Sequence, residues 1–162
     1  MSVNVTIGMQ LTVKETLTVD VPAATAPTIT HNGFDEAITL NSGTTPPATL
    51  VAALVMTLIS GAKTLDLTNL LGTNGGTVSG NGLQVRAIKI QAPSGNANNI
   101  VVVPGASNGL NLFGASSSLT MYPGSSMEMQ FATSGPVIGS GAKTLDFSGT
   151  GAQTLNIIVV FG

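Results

Sequence analysis

The sequence predicts an all-β fold, a single antiparallel β-sandwich that is jelly-roll-like with little or no helix. Three observations lead there. Apolar residues recur with a period of two, and clusters of Gly, Pro, Asn and Ser break the chain every ~8–12 residues. No segment carries an apolar stripe at helical spacing over three turns. The 162 residues fit one domain large enough to bury a core without staples. The whole of 1–162 is read as that domain, with 1–21 an N-terminal strand region and 22–48 a loop-rich connection.

The elements follow in order. Val3, Val5 and Ile7 alternate with Asn4 and Thr6; Leu11, Val13, Leu17, Val19 and Val21 alternate with Thr12, Thr16, Thr18 and Asp20. This is a β-branched pattern with one apolar and one polar face. Pro22 and Pro27 end it, a short strand spans 37–40, and 41–47 breaks the chain again. Apolar runs then occupy 49–59, 63–67, 83–91, 99–103, 118–122, 126–132, 143–147 and 153–161. Between them stand turn residues such as Asn74-Gly75-Gly76, Asn81-Gly82, Pro104-Gly105 and Pro123-Gly124. Pro presets the first φ of a turn, and Gly or Asn accepts the positive φ that follows. Residues 106–113 read as a short helical turn or a loop.

Charge is scarce. Ionised residues make up 7% of the chain, against about 25% in ordinary soluble domains. Twenty Gly and eight Pro in 162 residues stay below the ~25–30% of low-complexity chains, so the chain folds. A surface built from Ser, Thr, Asn, Gly and small apolar groups suits close contact with other protein, and an oligomer or larger assembly is expected. The start has neither the basic nor the continuous apolar segment of a secretory leader. The longest apolar stretch, about ten residues at 50–59, falls short of the ~20 that cross a bilayer. No membrane partner is expected. Nor is nucleic acid, since Lys14, Lys63, Arg86, Lys89 and Lys143 are scattered and the phosphate backbone rewards clustered cations.

Catalytic chemistry finds little purchase. The absence of cysteine removes thiol catalysis and Cys-based zinc sites. The single histidine, His31, has only Asp35 and Glu36 near it, in one loop, where a metal site draws on several elements. No nucleophile elbow or phosphate loop is present. Asp66 and Asp146 would suit a glycosidase only if their segments were neighbours. Glu128 is expected to point outward. Tyr122 is read as packing at a strand end, and Met121, Met127 and Met129 as core or interface filler. No catalytic, metal or cofactor site is therefore assigned.

One hexapeptide occurs twice: Gly61-Ala62-Lys63-Thr64-Leu65-Asp66 returns as Gly141-Ala142-Lys143-Thr144-Leu145-Asp146. Either a bend feeding a strand arose twice, or the copies are equivalent starts of strands in the two sheets of a sandwich. An eighty-residue spacing is too long for a solenoid repeat.

From 59–71 (I-S-G-A-K-T-L-D-L-T-N-L-L) onward the sequence resembles a family of small tailed-phage virion structural proteins. The likeness runs through 85–90, through Val103-Pro104-Gly105-Ala106-Ser107-Asn108, through 119–128 with its Pro-Gly, and through the closing pair 141–147 and 155–162. The resemblance implies a β-sandwich head decoration or cement protein, with no catalytic residues to carry over. It would be made in the host cytoplasm and sit on the capsid surface. Its partners would be the major capsid protein of the same virion and its own copies, a homotrimer first. Contact is expected through strand edges. One edge is the N-terminal arm with Val3, Val5, Ile7, Leu11 and Val13; the other is the final strand with Leu155, Ile157, Val159 and Phe161. The alternatives are a head-fibre or tail receptor-binding module and a small single-jelly-roll shell protein.

Overall fold

The computed structural model describes residues 3–9, 12–16, 28–32, 36–72 and 75–162. Among these there is no helix, and 106–113 is a loop of turns. The all-β expectation holds: β-branched and apolar residues at period two build strands, and Gly, Pro and Asn end them. By their contacts the residues form two compact units, Thr6–Thr39 and a larger one of Met1–Val5 with Leu40–Gly162.

In the N-terminal region, β1 (Asn4–Met9) and β4 (Glu36–Asn41) form a two-stranded sheet. β2 (Thr12–Thr16) pairs antiparallel with β3 (Thr28–Asn32), Val13 opposite His31. The stretch 22–48, read as loop-rich with one short strand at 37–40, holds that strand as β4 and β3 besides. Thr28, Ile29 and Thr30 are β-branched, a short signal masked by the prolines before it.

The larger unit holds β5 (Leu50–Thr57), β6 (Ala62–Asp66), and a small hairpin of β7 (Leu70–Leu71) and β8 (Thr77–Val78). It continues with β9 (Val85–Gln91), β10 (Ile100–Pro104), β11 (Leu119–Met121), β12 (Ser126–Gln130), β13 (Thr144–Gly149) and β14 (Thr154–Phe161). Pairing is nested and antiparallel. β5 lies against β14, β6 against β13, β9 against β12, and β10 against β11. Two more pairings, β14 with β9 and β13 with β10, complete four-stranded sheets ordered β12-β9-β14-β5 and β11-β10-β13-β6. The path is that of one long hairpin rolled up, its strands alternating between the sheets except at the tip, where β10 and β11 share one.

The inner rows of both sheets meet in a single sandwich-like core. Met56, Ile88, Ile90, Leu155 and Ile157 come from one sheet, and Leu65, Ile100, Val102, Leu145 and Phe147 from the other. Each such side chain, removed from water, stabilises the fold by about 1.5–3 kcal/mol. Met121 is buried, and Met127 and Met129 pack against the core from the edge of their sheet.

The two hexapeptides lie side by side in one sheet, not in matched places of two. Leu65 sits opposite Leu145, Thr64 opposite Asp146, and Asp66 opposite Thr144. A local two-fold therefore passes between the leucines. It extends into the bends: Ile59 and Ala62 exchange hydrogen bonds of 3.0 and 3.1 Å, and Gly139 and Ala142 exchange bonds of 3.0 and 3.1 Å. The backbones still differ. Ser60 and Gly61 adopt φ of 51° and 83°, whereas neither Ser140 nor Gly141 enters the left-handed region. A Cβ on Gly61 would be driven into the Gly149 carbonyl oxygen; one on Gly141 would meet nothing.

Candidate protein-contact surface

A surface for other protein must offer free strand edges or uncovered apolar area. The strand order fixes where the edges of the sandwich are: β12 and β5 in one sheet, β11 and β6 in the other. The final strand is not among them. β14 is hydrogen-bonded to β9 on one side and β5 on the other, and Leu155, Ile157, Val159 and Phe161 are buried in the core. Its expected role as a free edge is corrected on that ground, because its backbone groups already have partners. In the N-terminal arm, Val3 and Ile7 are buried and Val5 is half-buried. Leu11 lies outside the described residues; Val13 is placed in β2 by its pairing with His31.

The edge strands differ in chemistry. β6 carries Lys63 and Asp66, and β12 carries Glu128, which pairs with Lys89 directly opposite at 3.7 Å. Charges of this kind blunt an edge against unwanted pairing. β5 has none: Leu-Val-Ala-Ala-Leu-Val-Met-Thr holds no ionised residue, no Pro and no Gly; β11, Leu-Thr-Met, has none either but is only three residues long. Ala52 and Met56 point into the core with Leu50 and Leu54 packed beside them, while Ala53, Val55 and Thr57 face outward. The β7–β8 hairpin runs next to β5 without joining its ladder.

Exposed apolar side chains collect around this strand. Val55 is 72% exposed and Ile158, on the adjoining strand, 45%; Ile59 just past the strand is 67% exposed and Leu71 in β7 64%. Ala53, Val55, Asn156 and Ile158 line a shallow groove on the outer face. Water gains nothing from these groups, and among the described residues no strand pairs with the outer edge of β5.

The polar clusters are self-contained. Asp66 accepts from Lys143 Nζ at 2.8 Å and from the Thr68 backbone N–H and hydroxyl at 2.8 and 2.6 Å. Its burial raises the carboxyl pKa, but the hydrogen bonds from Lys143 and Thr68, with the Lys143 charge, outweigh that and hold it below the ordinary value. Asp146 accepts from the Thr64 hydroxyl at 2.6 Å and the Ala106 N–H at 2.8 Å. The two acids are diagonal neighbours on the outer face, as a glycosidase would require, yet each is held by its own donors. Among the described residues no three His, Cys, Asp or Glu side chains gather as metal ligands. His31 lies in β3, Glu36 opens β4, and Asp35 is outside the described residues.

Two residues depart from the sequence reading. Tyr122 does not pack at a strand end; it stands 61% exposed beside the Pro123-Gly124 turn. Arg86, one of the scattered cations, is only 5% exposed at the irregularity between β9 and β14. Its Nη1 donates to Gln84 Oε1 at 3.0 Å and the Thr133 carbonyl at 3.5 Å, while Nε has no partner. Nothing in the residue pattern marked it for burial.

No family model matches the chain at a significant level, and neither does any curated protein or solved structure.

Proposed function

We propose that this chain is a non-catalytic structural component of a tailed-phage particle, a decoration or cement protein that binds the assembled head as a homo-oligomer. The observation that carries the reading is the uncharged free edge of β5 ringed by exposed apolar side chains, on a chain with 7% charged residues. Such a surface is stable when it is covered by protein. The nested order of the eight sandwich strands supports the same reading. First pairs with last and second with next-to-last, the order of a jelly roll, an architecture that recurs in viral shell proteins. Bound only to the assembled shell, such a protein stabilises it by mass action, and many tethered contacts add through effective concentration. Its partner is then the major capsid protein of the same virion.

The test is quantitative mass spectrometry of purified particles of the phage that encodes the chain. A decoration protein is present at many copies per head and leaves under conditions that keep the shell closed. Absence from the particles overturns the reading.

A second reading, a head-fibre or tail receptor-binding module, is favoured by one observation: the exposed Tyr122 beside a turn, a single aromatic platform for a ligand. It requires Tyr122→Ala to reduce adsorption to cells with particle composition unchanged.

A further inference from the structure

We draw no further inference here: the strongest candidate, the surface patch along the outer edge of β5 where Val55, Ile59 and Ile158 stand exposed, carries none, because residues 63–66 and 69–71 of the chain itself flank 54–57 and nothing in the structure shows what covers the rest.

Discussion

β5 and β14 are paired neighbours of equal length, and both are apolar on both faces. In β14 that composition is accounted for by position: hydrogen-bonded on both sides, it buries Leu155, Ile157, Val159, Val160 and Phe161. In β5 the same kind of composition sits at an edge and leaves Val55 at 72% exposure. An apolar run therefore says that a strand will be covered, and the strand order says by what. For β14 it is the chain itself on both sides; for β5, among the described residues, only β14 pairs with it. The repeated hexapeptide is the same comparison with sequence held constant, since β13 is interior and β6 is an edge. One copy's Leu145 has neighbours on both sides, and one copy's Lys143 finds Asp66 while Lys63 stays exposed.

The largest effect expected separates β14 from β5. Ile157→Ala leaves a cavity in the core and is expected to cost about 2–5 kcal/mol in urea-induced unfolding of the chain. Val55→Ala is expected to stay within about 0.5 kcal/mol, because its side chain is already in water. A comparable loss for Val55 would mean that β5 is covered within the single chain.

Next come the two bends. Gly61→Ala forces a Cβ into a left-handed backbone and against the Gly149 carbonyl, with an expected loss of about 2 kcal/mol or more by thermal unfolding. Gly141→Ala meets open space at an ordinary φ and is expected to be neutral or stabilising by up to about 1 kcal/mol. Equal effects would show that the identical hexapeptides share a backbone after all.

The smallest effect is electrostatic. The folded pKa of Asp66 lies below its ordinary 3.8, so its ionised form contributes stability that is present above that pH. The contribution is lost as the pH falls through the lowered folded value. Lys143→Met is expected to remove part of that acid-limb dependence, worth less than about 1 kcal/mol for so exposed a pair, while Lys63→Met leaves the pH profile unchanged. Stability measured from pH 2 to 6 distinguishes them.

Much of the sandwich was legible because strand formation is local. Period-two runs bounded by Gly, Pro and Asn marked 49–59, 83–91, 99–103, 126–132 and 153–161, and strands stand in each. β3 and the β7–β8 hairpin escaped because runs of five and two residues carry too few repeats to show a period. The order of strands within the sheets was not legible, and the contact surface depends on it. Two apolar runs, at 50–57 and 154–161, read alike, and only the nested pairing makes one interior and the other an edge. Arg86 was missed for the same reason, since its burial is set by an irregularity in the pairing of β9 with β14.

A reconstruction of the intact phage particle by electron cryomicroscopy is the most direct measurement. The expected density is a small two-layered sandwich repeated over the head, with Leu50, Val55 and Ile59 against protein. A head bare of such a feature, or one in which that strand faces open solvent, contradicts a role for β5 in assembly.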